Sequence, residues 1–475
     1  MTSCKIALVN PPFVGAFDGI PMGLLYLASA LREHGHEPYF LDFGGTEIAA
    51  SKAADEILAG APDLIAITST SPSFKEAIEL ASVLRQRNGD VVIAKGGWHE
   101  RNGGFVDLKY MRGRPFNCAV TNPLGGEAEI VAIASAVSNG EELPATEHII
   151  SLLDIIPKYG PALPRYQTHD LVPARDLLPA ATDARYSYHG IFGDLPATQL
   201  MTVRGCPFSC TFCAIPPEMQ RHDLDAVERD LDMIHRHGYG AVFLDDGTFT
   251  VNVDRARKIC ELLRKRDLRW ACQTRIDQVS SDLLRFMQRC GCTYIYFGLE
   301  TGARPVAEAI HKVLDPSTVI DVVRETVRLG MKAVTSFIFG VPLPNSQGNW
   351  PKRYHGHDGP REWRQSVELI REAGPDQVVP SVFAYYPGSP AWKKLQSEFQ
   401  DLYSTGGDRE DVWRWFDDGY GAIHHVSPQV AGEIKEFLER SIPDLIWSSE
   451  DRKTAPPLDA ASDGPKYFGP PTMYV

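Results

Sequence analysis

The feature that most constrains this chain is the repeated alternation of short β-branched runs with segments of helical period, in two separate blocks. In the first block, strands are predicted over residues 5–9, 38–43, 64–68, 90–94 and 117–120, and helices over 22–33, 49–58, 74–86 and from 127 onward. Strands separated by single helices imply a parallel sheet with right-handed crossovers. In the second block, strands are predicted over 198–203, 241–245, 269–273, 294–299, 332–339 and 377–384, and helices over 224–237, 256–265, 281–289, 317–329 and 362–373. These make six βα units, short of the eight in a closed barrel. The expected fold class is α/β: a doubly wound parallel sheet over 1–140, a proline-rich linker over 141–195, a partial (β/α)6 barrel over 196–395, and a cap and tail over 396–475 with a helix over 429–441.

Composition narrows the class further. The 475 residues are 43% hydrophobic and 23% charged, as in ordinary globular proteins, and the formal net charge is −13. No apolar run approaches the roughly 20 residues of a membrane span, and the opening residues lack the basic-then-apolar order of a signal peptide, their short apolar stretch reading as a strand that ends at Pro11-Pro12. The acidic balance and the lack of a basic tract argue against a nucleic-acid partner. Nine cysteines scattered in so long a chain point to reduced thiols in a cytoplasm.

Three of those cysteines are not scattered. Cys206, Cys210 and Cys213 stand in Arg-Gly-Cys-Pro-Phe-Ser-Cys-Thr-Phe-Cys-Ala, a C-x3-C-x2-C array. At this cysteine frequency, about 0.003 such triplets are expected by chance. Three thiolates on one short loop suit one face of a cubane iron–sulfur cluster, with a fourth iron open to an outside ligand. A structural zinc site would need four closed ligands, and the nearest further candidate is His222. The loop follows directly after a predicted strand, where barrel folds place their chemistry. Cys4, Cys118, Cys260 and Cys272 read as small apolar core residues, and Cys290 and Cys292 lack the thiols for a second cluster.

The array after the first strand of a six-unit partial barrel, with the aromatic Phe212 just before its third cysteine, resembles the radical S-adenosylmethionine (SAM) superfamily. The resemblance implies a [4Fe–4S] cluster on Cys206, Cys210 and Cys213, whose open iron chelates SAM and cleaves it reductively to a 5′-deoxyadenosyl radical. It also implies a low-potential electron donor such as flavodoxin or ferredoxin. Further SAM contacts are expected at successive strand ends: Asp245 and Asp246, Arg275, Glu300 and Gly340. Taken singly, each is also an ordinary strand-end residue.

The first block resembles the cobalamin-binding, Rossmann- or flavodoxin-like domain that precedes the barrel in one radical SAM branch. The resemblance rests on Pro11-Pro12, Pro21-Met22-Gly23-Leu24-Leu25-Tyr26, Leu41-Asp42, Gly96-Gly97-Trp98-His99 and Gly126-Glu127. It continues through Leu177-Leu178-Pro179, Gly340-Val341-Pro342 and Tyr386-Pro387-Gly388-Ser389. Ligands in such a sheet lie at its strand-end turns, so Pro11, Pro12, Gly23, Ser69, Thr70, Gly97, Trp98, His99, Gly126 and Glu127 are the expected cobalamin contacts.

There are two departures from the family pattern. No D-x-H-x-x-G motif occurs, so His99 is not promoted to a cobalt ligand. The usual turn after Gly340-Val341-Pro342 is replaced by a long polar stretch to Arg361, a candidate substrate lid with Trp350, Tyr354, His355 and His357. His424-His425 and Asp417-Asp418 read as solvated surface, since adjacent residues point apart.

The resemblance implies an enzyme that methylates an unactivated carbon of a small molecule, such as one of secondary metabolism. The alternatives are a radical cyclisation, rearrangement or carbon–heteroatom bond formation without methyl transfer, and a non-enzymatic iron–sulfur or zinc scaffold.

Overall fold

The computed structural model describes residues 3–13, 20–70, 73–98, 115–152, 160–164, 166–178, 191–193, 195–343, 359–386, 388–394, 423–424 and 428–446. The expectations placed on His99, on Pro179, on Trp350, Tyr354, His355 and His357, on Pro387, on Asp417-Asp418 and on His425 lie outside the described residues. Among the described residues, no helix is long and apolar enough to cross a membrane.

The first sheet is built from β1 (Lys5–Phe13), β2 (Glu37–Gly44), β3 (Leu64–Thr68), β4 (Val92–Gly96), β5 (Cys118–Val120) and β6 (Ile149–Ser151), in the order β2-β1-β3-β4-β5-β6. The first five run parallel and β6 closes the edge antiparallel to β5. Helices α1 (Met22–Glu33), α2 (Ala50–Ala59), α3 (Phe74–Arg87) and α4 (Glu127–Asn139) connect them. Both sheet faces are covered: Ile6 and Leu8 of β1 join the core under α1 and α4, whereas Ala7 and Val9 join the one under α2 and α3. That two-sided burial is why β1 reads as an unbroken apolar run.

Two expectations about this block need correction. Pro11 and Pro12 do not end β1. The strand continues to Phe13, and its register against β2 shifts between Asn10 and Phe13, where the prolines have no N–H to offer the ladder. The stretch read as linker also supplies β6. Elsewhere that stretch is bonded on both sides. Ala174 N donates to Leu25 O at 3.1 Å and Ser29 Oγ to Val172 O at 2.6 Å. Arg175, fully buried, donates to Asp230 Oδ2 at 3.0 Å, Thr198 Oγ1 at 2.9 Å and the Gln199 carbonyl at 2.6 Å.

The second sheet is wholly parallel, and its strands follow one another across it in the reverse of their order in the chain. Its strands are β7 (Ala197–Leu200), β10 (Ala241–Leu244), β11 (Arg269–Arg275), β12 (Cys292–Glu300), β13 (Lys332–Phe339) and β14 (Gln377–Val382). The strand predicted over 198–203 is in fact broken after Leu200. Val203–Arg204 forms a separate strand, β8, paired antiparallel with β9 (Gln220–Arg221). The strand predicted over 377–384 also splits, and Ala384–Tyr385 (β15) pairs with Ile423–His424 (β16).

The barrel helices are α5 (Leu224–Arg236), α6 (Val253–Lys265), α7 (Ser281–Arg289), the short α8 (Arg304–Ala309), α9 (Pro316–Arg328) and α10 (Pro360–Ala373), with α11 (Pro428–Ser441) outside α10. Their starts are set locally. Asn252 caps α6, Ser280 caps α7, and Asp315 caps α9 just ahead of Pro316.

Alternation along the strands separates two environments. Leu200, Val242, Leu244, Trp270, Cys272 and Ile295 pack outward against the helices, while Ala197, Ala241, Phe243, Ala271, Tyr294 and Tyr296 fill the base of the lumen.

Candidate functional site

The cysteine loop is shaped before any cofactor is considered. Gly205 has φ +82°, and a Cβ there would run into the Glu218 carbonyl oxygen, so only glycine fits between Arg204 and Cys206. Cys206 N then donates to Pro216 O at 2.9 Å, Cys213 N to Cys210 O at 3.1 Å and Thr211 N to Ile310 O at 3.1 Å. These bonds hold the loop shut at the carboxyl ends of β7 and β10.

The three sulfurs share one environment. Desolvation pushes the Cys213 thiol up to about 12, reinforced by the charges Cys210 and Cys206 would carry. Burial raises Cys210 too, opposed by Lys312 and Arg275. Thiolates in such a pocket need a bound cation to be stable, which is the chemistry of a metal-cluster donor set. His222, the nearest candidate for a fourth zinc ligand, is not among them. It lies buried against the Tyr26 ring, centroids 5.1 Å apart, and burial lowers its pKa to about 3, so it stays neutral. Among the described residues, no group of three or more His, Cys, Asp or Glu is gathered to grip one metal ion. A cubane instead takes its three cysteines on three separate irons.

Around the loop stand the residues expected at the strand ends. Asp246 is a clamp: it accepts from Thr202 N at 2.7 Å, Val203 N at 3.0 Å and Thr202 Oγ1 at 2.5 Å, exactly where the first barrel strand breaks. Its neighbour Asp245 follows the lumen side of β10 and is buried, with Oδ1 lacking a hydrogen-bond partner among the described residues. Burial and the Asp246 charge push Asp245 up to about 7, whereas burial takes Asp246 to about 6 against its three donors. With three donors on Asp246 and none on Asp245 Oδ1, Asp246 is the better placed of the two to carry the charge and Asp245 the one that takes up a proton first. Gln199, on the adjacent strand and the same face as Ala197, presents a second buried acceptor without a partner among the described residues.

Arg275 spends its two-nitrogen edge on Asp277, at 3.0 and 2.7 Å, stacks 4.1 Å over Phe208, and approaches Cys210 Sγ at 3.6 Å. Glu300 ends β12 with φ +71°, a costly value for a non-glycine residue. It is held there by Lys312 Nζ at 2.8 Å and Ser336 Oγ at 3.0 Å. Gly340 directly follows β13 at the same mouth. Lys312 is the residue that sequence reasoning missed. It is buried beside Glu300 and its charge reaches Cys210 and Cys213, yet no local motif marks it.

The expected cobalamin contacts lie along the carboxyl edge of the first sheet. Pro11 and Pro12 lie near the carboxyl end of β1, just ahead of Phe13, and Gly23, in the first turn of α1, faces open space. Ser69 N donates to Gly96 O at 2.9 Å, and Thr70 N donates to Ser73 Oγ at 3.0 Å. Gly97 has φ +108°, and a Cβ there would meet Ser69 O at 2.6 Å, so the turns after β3 and β4 touch through bare backbone. Half-buried Trp98 follows, and Gly126 caps α4. Glu127 is ion-paired to Arg204 at 2.8 Å across the two domains. This edge offers an open floor, backbone turns and a neutralised carboxylate, which fits a large uncharged-faced cofactor.

The comparisons agree with this arrangement. The radical SAM superfamily profile matches residues 200–347, and the B12 binding domain profile matches residues 14–107. An uncharacterized methyltransferase of Pyrococcus horikoshii is 29% identical over 83% of this chain and 83% of its own length. The anaerobic magnesium-protoporphyrin IX monomethyl ester cyclase of Rubrivivax gelatinosus is 21% identical over 88% of this chain and 72% of its own. The solved structure of the radical SAM methyltransferase TsrM from Kitasatospora setae, with cobalamin and a [4Fe-4S] cluster bound, shares the fold. It has a TM-score of 0.65 at 17% identity, over 82% of this chain and 77% of that one. The cofactors that go with this pair of domains are a [4Fe–4S] cluster, SAM and cobalamin. The chain is an enzyme of the radical SAM superfamily, in the branch that carries a B12-binding domain ahead of the barrel.

Proposed function

We propose that this enzyme is a cobalamin-dependent radical SAM methyltransferase that places a methyl group on an unactivated carbon of a small organic molecule. The observation that carries the reading is the contact of the cysteine loop with the rim of the first sheet, through Arg204 on Glu127 and on the Leu124 carbonyl at 3.0 Å. A radical made in the barrel and a methyl group carried on the first domain must meet at one carbon, and this contact puts the two mouths side by side. The methyltransferase of Pyrococcus horikoshii, similar over most of its length, supports the methyl-transfer part of this reading.

When bound, the cluster and SAM supply a 5′-deoxyadenosyl radical for hydrogen abstraction, and cobalamin supplies methyl carriage. The chain's own residues do the rest. Cys206, Cys210 and Cys213 hold three irons. Asp245 and Gln199 offer acceptors to amino or hydroxyl groups entering the lumen, and burial makes the Asp245 carboxyl take up a proton more readily than an ordinary aspartate. Glu300, fixed by Lys312 and Ser336, is aimed at the same mouth. The aromatic floor of Phe243, Tyr294 and Tyr296 closes the lumen below, so the substrate sits above it. The electron comes from a low-potential flavodoxin or ferredoxin.

The second reading, radical cyclisation without methyl transfer, is favoured by the similarity to the Rubrivivax gelatinosus cyclase. Anaerobic turnover with reductant, cobalamin and candidate substrates separates the two. S-adenosylhomocysteine together with 5′-deoxyadenosine supports methyl transfer, and 5′-deoxyadenosine alone supports the cyclase-like reading. Failure of the cluster-loaded protein to retain cobalamin overturns the first.

A further inference from the structure

Arg204 lies two residues before Cys206, yet among the described residues its guanidinium's ion pair, hydrogen bond and ring contact are with the first domain. Nη1 donates to Glu127 Oε1 at 2.8 Å and to the Leu124 carbonyl at 3.0 Å, and Cζ lies 4.7 Å over the Tyr26 ring. The side chains of Arg204 and Glu127 are only 9% and 4% exposed, so neither charge can leave the other for water. The turn ahead of Glu127 is shaped around the pair. Gly125 has φ +149°, and a Cβ there would strike both Arg204 Nη1 and Glu127 Oε2.

The base of the contact is equally held on the barrel side. Tyr26 stacks on His222, whose N–H donates to Thr202 O at 3.0 Å, and Asp246 grips Thr202 and Val203. A rigid chain of contacts thus runs from the cysteine loop to the strand-end turn of the first domain.

We propose that Arg204 and Glu127 are positioning residues that couple the cysteine loop to the cobalamin crevice, so that occupancy of one site changes the affinity of the other. The proposal rests on the reading that the first domain's crevice binds cobalamin. A cluster pins the cysteine loop and with it Arg204. Iron removal takes away what draws the three sulfurs together, and any resulting shift of the loop that pulls Arg204 back leaves Glu127 a buried carboxylate at the crevice rim short of its partner, a costly state that disfavours the binding-competent turn. Coupling of this kind is reciprocal, so it is readable from either site.

The test is a visible-absorbance titration with hydroxocobalamin of wild-type protein, once with its cluster loaded and once after removal of iron by a chelator under anaerobic conditions. The expected result is about fivefold or greater tightening by the cluster. In Glu127→Gln and in Arg204→Met that ratio falls to near one. Arg204→Lys, which keeps the charge but not the forked donors, falls between. Should Arg204→Met fail to load iron, Glu127→Gln, isosteric and on the other domain, carries the same measurement. A merely structural clamp would lower thermal stability and weaken cobalamin binding equally in both states, leaving the ratio unchanged, and that result overturns the proposal. Equal affinities in the two wild-type states overturn it alone, whereas no cobalamin binding by cluster-loaded wild type overturns the function reading with it.

Discussion

Lys312 Nζ stands 2.8 Å from Glu300 Oε1 in the barrel mouth, with side chains 6% and 5% exposed. Removing one member of a buried pair strands the other's charge, at about 3–5 kcal/mol. Lys312→Met is therefore expected to lower the melting temperature strongly. Adding Glu300→Gln recovers part of the loss, because no charge is then left unpaired. A double variant no more stable than Lys312→Met alone would show that the two side chains do not act as a pair.

Each of Cys206→Ala, Cys210→Ala and Cys213→Ala is expected to abolish the [4Fe–4S] signal and reduce 5′-deoxyadenosine formation to background, since three thiolates are the minimum for an open-cornered cubane. Iron analysis and electron paramagnetic resonance of anaerobically reconstituted protein measure this. Cys260→Ala, whose thiol is in the outer core, serves as the control and keeps its iron.

Asp245 should impose a pH dependence on stability. Its folded-state value, about 7, lies above the ordinary 3.8 because of burial and then the Asp246 charge. The folded protein holds that proton more tightly than the unfolded chain, so the group costs stability as pH rises from about 4 to about 7. Asp245→Asn removes this dependence. It is expected to be the more stable protein at pH about 8, by at most about 4 kcal/mol, and to show no gain at pH about 4. Denaturant titrations at the two pH values check the sign. The same variant is expected to weaken SAM binding, which equilibrium dialysis reads separately.

Gly205→Ala puts a Cβ against the Glu218 carbonyl at a left-handed backbone position. Strain of about 1–3 kcal/mol is concentrated on the cysteine loop. The expected outcome is a folded protein with a subnormal iron content per chain, and full iron loading would sink the argument.

Much of this architecture was open to sequence reasoning. The strands Leu64–Thr68 and Lys332–Phe339 and the helix Ser281–Arg289 have the bounds that periodicity predicts. Their apolar runs are short, strong and flanked by turn residues, so local signal and tertiary burial agree. The break after Leu200 was invisible because Met201-Thr202-Val203 continues the β-branched run, and what ends the strand is Asp246, from the next βα unit, capturing the Thr202 and Val203 amides. The β1 end was misjudged because Pro11 and Pro12 read as a terminator, although on β1 their missing N–H groups fall where the register already shifts.

From the sequence alone come the two α/β blocks, the parallel character of both sheets and the three-cysteine loop, because each rests on patterns a few residues long. Tertiary structure decided that Lys312 serves Glu300, that Asp246 clamps a strand while Asp245 is buried beside it, and that Arg204 crosses to a carbonyl 80 residues earlier. Those pairings depend on how helices return and how the domains dock. Charged side chains are buried only where a distant partner arrives to meet them, and that arrival leaves no periodicity to read.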